Sequence, residues 1–434
     1  MESEKIASRY CVIGAGASGL AVAKNFKEHG VEFDVFERHS DVGGLWGYDR
    51  PYSAVYQSTR LISSKPMSEF RGFPMGKDLP DYPGREAVLR YMQDYADRFG
   101  LRENIRFETE IENTSRAGSY WDVRLQSGEV RRYRGLVLAS GVTSDPNVPD
   151  LPGDFIGQSL HSIDYKVPEV FANKRVLVIG GGNSGCDIAT DLGSHARKTF
   201  LSVRRGYHFI PRYVFGIPSD QFGEFSIDMG TPMFLRQFVN QWMVRLILGD
   251  PVKLGLPKPD HRMFESHPIV NVEVLDEIRA GRVVVKPDVQ ELRGNKIRFA
   301  DGSEQEIDTI IYATGYRISY PFIEQSHLNG PEGKPGFYLH LFHPYYDNLF
   351  IVGMIQPASG VWGLMDDQAK LIAAYIKANR RGSEASKRFN RLKAGPQPDI
   401  SGGLRYIESY RHFAEVDHTV YRKTLRKSLR LLQE

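Results

Sequence analysis

The chain is poor in cysteine. Two occur in 434 residues, Cys11 and Cys186, and neither belongs to a C-x-x-C pair or a zinc-ligand spacing. That excludes a disulfide framework and a dithiol redox pair, so each thiol reads as a small buried side chain. Charge of one sign is also lacking: 56 Lys and Arg stand against 53 Asp and Glu, a net of +3. Nothing in that balance calls for nucleic acid as a partner. No run approaches 18 apolar residues, which speaks against a transmembrane segment. No basic region leading into an apolar core and cleavage site opens the chain. The absence of a disulfide framework is compatible with a reducing cytosol, and a cytoplasmic location is the expectation. Its length allows two or three packed domains.

Glycine is where the information lies. Val12-Ile13-Gly14-Ala15-Gly16-Ala17-Ser18-Gly19 and Val178-Ile179-Gly180-Gly181-Gly182-Asn183-Ser184-Gly185 are two G-x-G-x-x-G fingerprints. Each follows a strand-like run and opens a helix-like one. Gly14 and Gly180 allow a tight turn, Gly16 and Gly182 let backbone approach a pyrophosphate, and Gly19 and Gly185 let helix pack on strand. The helix N-terminus then offers free N–H groups and the positive dipole end to the anion. Two fingerprints imply two bound dinucleotides, and holding two serves to pass a hydride between them.

The residues downstream tell the sites apart. Phe33-Asp34-Val35-Phe36-Glu37 reads as a second strand ending in an acid, 18 positions past Gly19. A carboxylate there accepts from ribose hydroxyls. Thr199-Phe200-Leu201-Ser202-Val203-Arg204-Arg205 ends in two arginines, which suit a 2′-phosphate and so NADPH rather than NADH. Gly43-Gly44-Leu45-Trp46 offers the first site a second close backbone approach, and the second site has no equivalent. The first site is therefore read as FAD and the second as NADPH.

The expected fold is α/β, with two Rossmann-like dinucleotide-binding domains and the NADPH domain inserted into the FAD domain. Residues 1–165 supply the first part of the FAD domain and 166–300 the NADPH domain. Residues 301–434 supply the rest of the FAD domain with C-terminal helices. Residues 84–100 read as a helix on the spacing of Val88, Leu89, Met92, Tyr95 and Ala96, and 366–378 as another. Residues 104–110 and 119–125 suggest a small antiparallel sheet. From about 213 to 268 the pattern is irregular and is read as an insertion. The C-terminus, with Arg422, Lys423, Arg426, Lys427 and Arg430 among leucines, predicts a basic amphipathic helix that packs or is solvated.

One stretch between the fingerprints carries a resemblance. Phe155-Ile156-Gly157-Gln158-Ser159-Leu160-His161-Ser162-Ile163-Asp164-Tyr165 matches F-x-G-x-x-x-H-x-x-x-Y, and Asp308-Thr309-Ile310-Ile311-Tyr312-Ala313-Thr314-Gly315-Tyr316 resembles a second strand motif of the same superfamily. Together they are similar to flavin-containing monooxygenases, soluble and bacterial-like in lacking an apolar C-terminal anchor. The related Baeyer–Villiger enzymes end the first motif on Trp followed by Pro or Asp. Tyr165-Lys166 instead resembles the branch that oxidises nitrogen and sulfur. The resemblance implies an NADPH- and O2-dependent oxygenation through a C4a-hydroperoxyflavin, with a small amine or thioether as substrate. The alternatives are ketone oxygenation and an uncoupled NADPH oxidase. It implies no metal, and it leaves a homodimer open.

Cofactor contacts implied by the resemblance fall on Ser18, Gly44, Leu45, Trp46, Ile111 and Gln356 for FAD. For NADPH they fall on Tyr165, Asn183, Ser184 and Ser202. His161 is expected to be a hinge or packing residue, not a general base. The family's Y-x-S-x-x-x-N-x-x-K, whose Asn lies near the flavin, aligns with Tyr56 to Lys65. Ile62 then stands at the Asn position, and an isoleucine donates no hydrogen bond. Arg60 and Ser63 are the neighbours able to substitute.

Overall fold

The structure, a computed structural model, describes residues 8–228, 231, 233–407 and 412–434, apart from the side chains of 224–228 and 233–234. The chain forms two units. Residues Met1–Ser53, Lys65–Asp145 and Arg317–Glu434 make the first, and Ala54–Ser64 with Pro146–Tyr316 the second, so the second unit interrupts the first.

The first unit is built on a five-stranded parallel sheet. Its strand order is Leu349–Ile351, Gly135–Leu138, Tyr10–Ile13, Phe33–Phe36, Ile105–Arg106. Tyr10, Cys11, Val12 and Ile13 are all buried, the unbroken apolar run expected of a strand covered on both faces. From Tyr10–Ile13 the chain runs outward through two strands and later returns to the other side. The strand order therefore reverses at Gly14, the place where parallel sheets open a ligand crevice. Helix Ala17–Glu28 packs on the long helix Trp362–Arg380, which also carries the C-terminal helix His418–Gln433. That last helix is capped by Asp417, which accepts from Val420 N, and it buries Tyr421, Leu425 and Leu432. The basic tail is thus a packing helix, with Lys423, Arg426, Lys427 and Arg430 exposed and Arg422 half-buried. Residues 105–106 extend the parallel sheet. The antiparallel sheet is three-stranded, Ile111–Ala117, Tyr120–Leu125 and Val130–Tyr133.

The second unit repeats the plan with strand order Gln158–His161, Thr309–Tyr312, Arg175–Ile179, Lys198–Ser202, Val283–Lys286, all parallel. The order reverses at Gly180. This sheet corrects the expected boundaries at 165 and 300. Strands 158–161 and 309–312 lie outside the range expected for the NADPH domain, yet both pair in its sheet. The expected irregular insertion also holds regular structure, with helices Ser219–Asp228 and Met233–Leu248. On the second of these, Leu235, Phe238, Val239, Trp242 and Leu246 are all exposed. At i, i+3, i+4, i+7 and i+11 these five share one face, a stripe at helical spacing that the irregular reading missed, and it faces outward. Among the described residues no helix is long and apolar enough to cross a membrane.

Candidate functional site

The two glycine loops share one geometry. Gly14 and Gly180 sit at φ +101° and +118°, a left-handed turn that glycine takes without strain. A Cβ on Gly14 would lie 2.8 Å from the carbonyl oxygen of Ala139, and one on Gly180 would lie 2.4 Å from that of Ala313. Each loop therefore presses on the end of the strand across its switch point. A Cβ on Gly19 or Gly185 would stand 1.8 Å from the oxygen of Gly14 or Gly180. These four glycines are required by the protein's own packing.

The middle glycines are different. Gly16 caps helix Ala17–Glu28 at φ −76°, ψ −169°, a conformation open to any residue, and a Cβ there would meet only Gly44 Cα at 3.5 Å. Gly182 caps helix Asn183–Gly193 at φ −76°, ψ 179°. Neither helix has a side-chain cap, so the first-turn N–H groups have no side-chain acceptor at the cap. Backbone does not need glycine at 16; a pyrophosphate approaching those N–H groups does. The residues present therefore fit a dinucleotide at the first loop. At the second, the same uncapped helix and extended Gly182 fit one as well.

Around the first loop, Glu37 is buried. One carboxylate oxygen accepts from Ala15 N at 2.7 Å and the other from His39 N at 2.9 Å. Each oxygen keeps a second lone pair for a ribose hydroxyl. Gly44, Leu45 and Trp46 form one turn of 3-10 helix, with the Trp46 ring edge-on to Trp362 at 6.3 Å. Ser18 is buried with its hydroxyl toward Met365 Sδ at 3.5 Å. Ile111 pairs with Leu125 and its side chain belongs to the core, so only its backbone is free to serve a ligand. Gln356 donates its backbone N–H to Ala414 at 2.7 Å. The sequence pattern gave no sign of a buried relay behind this loop. Gln368 accepts from Gly353 N at 3.0 Å and donates to the Tyr421 hydroxyl at 2.7 Å, which donates in turn to Leu339 O at 2.6 Å. Gly353 itself lies on Ser18, since a Cβ there would be 2.2 Å from the serine Oγ.

Around the second loop, Arg204 and Arg205 follow the strand Lys198–Ser202 as Glu37 follows Phe33–Phe36. Arg204 is exposed and makes no ion pair among the described residues. Arg205 donates from Nε to Asp260 Oδ1 at 2.8 Å. Three side chains expected at the cofactor are taken up by the protein itself. The Asn183 amide bridges Pro268 O at 3.2 Å and Val270 N at 2.9 Å, tying the end of the insertion to the helix. The Ser202 hydroxyl donates to Pro287 O at 2.8 Å. Tyr165 is buried between Tyr56 and Phe171, its hydroxyl 3.3 Å from Asp191 Oδ2. Ser184 stays half-buried in the first turn of the helix.

A model of the family "Flavin-binding monooxygenase-like" matches residues 7–421. The chain belongs to that family. It is 34% identical to flavin-containing monooxygenase 5 of Oryctolagus cuniculus, over 94% of this chain and 80% of that one. Two solved structures share the fold. A flavin-containing monooxygenase from Stenotrophomonas maltophilia superposes with TM-score 0.66 at 22% identity, covering 86% of this chain and 98% of that one. A cyclohexanone monooxygenase bound to epsilon-caprolactone superposes with TM-score 0.71 at 20% identity, covering 96% and 97%. The chain is an FAD-containing monooxygenase, and FAD and NADPH are its cofactors.

In this flavin-binding monooxygenase, the segment Ala54–Ser64, which holds Arg60, Ile62 and Ser63, belongs to the second unit. Tyr56 donates to Asp187 Oδ2 at 2.6 Å, and Ser58 to Asp191 Oδ2 at 2.5 Å. These two acids stand one turn apart on helix Asn183–Gly193, a spacing that puts them on one face. That i, i+4 pair was the available sequence signal for the anchor. Lys166 holds the same segment through Gln57 N to Lys166 O at 2.9 Å and Lys166 Nζ to Val55 O at 3.0 Å. At its far end Ser64 N donates to Asp220 Oδ2 at 2.6 Å. Between these anchors Arg60 and Ile62 are exposed and Ser63 is half-buried. Burial raises the carboxyls of both Asp187 and Asp191 above the usual range. His161 is buried, with Nε2 donating to Gly315 O at 3.0 Å and Nδ1 accepting from Ile163 N at 3.2 Å. Both nitrogens are engaged and burial pushes its pKa down, so it is a neutral packing residue.

Proposed function

We propose that the chain oxygenates a soft nitrogen or sulfur atom of a small amine or thioether, at the expense of NADPH and O2. The observation that carries this reading is the motif ending in Tyr165-Lys166, in a chain about one-third identical to a flavin-containing monooxygenase. FAD, when bound, supplies the redox and oxygen-activating chemistry. The protein binds and orients. Residues 14–19, with Ser18 and the N-terminus of helix Ala17–Glu28, hold the FAD pyrophosphate, and Glu37 accepts from its ribose. Gly44, Leu45 and Trp46, with the backbone at Ile111 and Gln356, line the same cofactor. Gly180, Gly182, Ser184 and Gly185 hold the NADPH pyrophosphate, and Arg204 and Arg205 meet its 2′-phosphate by charge-assisted hydrogen bonds. Arg60, Ile62 and Ser63 are the segment's contribution to the reaction centre.

Ketone oxygenation is the second reading, favoured by the superposition on a cyclohexanone monooxygenase. Two buried cysteines without a disulfide suit a cytoplasmic location. The test is NADPH consumption in air with a panel of tertiary amines, thioethers and ketones, each product identified by mass. N-oxides or S-oxides support the proposal. Esters or lactones alone would replace it with the second reading.

A further inference from the structure

The insertion brings a carboxylate to the arginine pair. Asp260 lies 55 residues beyond Arg205, yet its Oδ1 accepts from Arg205 Nε at 2.8 Å and from His261 Nδ1 at 2.9 Å. The surrounding loop is fixed there. A Cβ on Gly206 would stand 2.3 Å from Pro257 O and 2.5 Å from Pro259 N, so residues 257–259 lie directly on the chain leaving the strand. His208 Nε2 donates to His261 O at 2.9 Å, and the two imidazole rings meet edge to face at 5.1 Å. Arg205, then His261, hold the Asp260 carboxyl well below the usual range, at about 2, so it is an anion at any working pH.

We propose that Asp260 is a specificity-determining residue of the second dinucleotide site, which restrains the preference for a 2′-phosphorylated dinucleotide by keeping a negative charge on Arg205. The proposal rests on the reading that Arg204 and Arg205 meet the 2′-phosphate. A phosphate placed on this guanidinium shares it with a carboxylate that already occupies Nε, and two anions on one cation repel. NAD+ has a hydroxyl where NADP+ has the phosphate, so its binding is indifferent to that charge. Arg204, exposed and unpaired among the described residues, then carries the part of the attraction that Asp260 does not offset. Asp260→Asn removes the charge and keeps an oxygen that accepts from both Arg205 and His261, so it isolates the electrostatic effect from the packing of the loop.

The experiment is calorimetric titration of FAD-loaded protein with NADP+ and with NAD+, for the wild type, Asp260→Asn, Asp260→Ser and Arg205→Ala. Asp260→Ser serves as the second charge-removing variant should Asp260→Asn fail to fold. Asp260→Asn is expected to bind NADP+ about three- to tenfold more tightly, the scale of one unit-charge repulsion across solvent. NAD+ affinity should stay within about twofold, and the gain should shrink in salt on the order of 0.5 M. Equal tightening toward both dinucleotides, or no tightening toward NADP+, overturns the proposal. If Arg205→Ala weakens NADP+ while Asp260→Asn changes nothing, Asp260 alone is rejected. If Arg205→Ala leaves NADP+ binding untouched, the 2′-phosphate reading fails and this proposal falls with it.

Discussion

Tyr56 donates its hydroxyl to Asp187 Oδ2 at 2.6 Å, while Asn271 Nδ2 holds the other oxygen at 2.6 Å. That pair fastens segment 54–64 to the helix that opens at the second glycine loop. It also makes the placement of Arg60, Ile62 and Ser63 a property of the unit that carries the arginine pair. Tyr56→Phe keeps the ring against Tyr165 but leaves the carboxylate with one partner fewer. A hydrogen bond to a charged or partly charged group is worth about 1.5–3 kcal/mol. The variant should lose about that much stability in urea unfolding, and a loss near zero would show the segment to be held elsewhere.

The same carboxyl predicts a pH dependence. Burial raises the Asp187 pKa, so the folded chain keeps this proton to higher pH than the unfolded chain does. The stabilisation that proton provides is complete below the ordinary carboxylate value and is lost as pH rises through the raised folded value. Asp187→Asn has no such proton to lose. Melting temperature of the wild type minus that of the variant should therefore fall as pH rises from about 3.5 toward neutrality. A difference that rises over that range would contradict the assigned direction.

The two kinds of glycine should separate folding from cofactor binding. Gly19→Ala puts a methyl 1.8 Å from a backbone oxygen, and the helix must shift, at a cost of about 3 kcal/mol or more. Gly16→Ala meets nothing closer than 3.5 Å and should lose only about 1 kcal/mol, from the poorer helix cap. On the reading that the FAD pyrophosphate sits against this loop, the added methyl crowds it. The expected result is a folded, nearly colourless Gly16→Ala protein by flavin absorbance. Full flavin content in that variant would move the FAD pyrophosphate away from this loop.

The glycine loops were legible in the sequence because their demands are largely local: Gly14 and Gly180 turn at positive φ, and Gly19 and Gly185 pack on the carbonyls of Gly14 and Gly180. The unit boundary was not, because strands 158–161 and 309–312 acquire their place only by pairing with Arg175–Ile179. Helix Met233–Leu248 escaped for a different reason: Leu235, Phe238, Val239, Trp242 and Leu246 recur at helical spacing, but Val244 and Leu248 on the opposite side blur that stripe. At the second site the sequence offered residue types without their commitments. Asn183, Ser202 and Tyr165 are polar and near the loop, but Pro268, Val270, Pro287 and Asp191 already take their hydrogen bonds. The Asp260 contact with Arg205 depends on how the insertion returns, which no spacing rule encodes.

The arginines should decide between the nicotinamide cofactors. Arg204 is uncommitted among the described residues, whereas Arg205 is shared with Asp260, so both single alanine variants should weaken NADPH binding. Losing a charge-assisted hydrogen bond to phosphate costs about 1.5–3 kcal/mol. NADH binding should change little. Equal use of NADH and NADPH by the wild type would remove the 2′-phosphate from this place.

Ile62 bears on how completely reducing equivalents reach the product. It is 41% exposed and carries no polar group, so on the reading that places it at the reaction centre it offers no hydrogen bond there. One neutral polar contact is worth about 0.5–1.5 kcal/mol, which is at most roughly tenfold in a rate. The wild type should therefore be active yet release a measurable fraction of its NADPH electrons as hydrogen peroxide. Ile62→Asn should fold normally, because a half-exposed isoleucine gives up little buried surface. It should also lower the ratio of peroxide formed to NADPH oxidised, read with and without substrate. An unchanged ratio in a folded, FAD-loaded variant would move the protecting contact to a neighbour. Ser63 and Arg60 are then the two to test: Ser63 is half-buried and carries a hydroxyl, and Arg60 is exposed and brings a charge. Ser63→Ala raising peroxide release while Arg60→Ala does not would assign the contact to the hydroxyl.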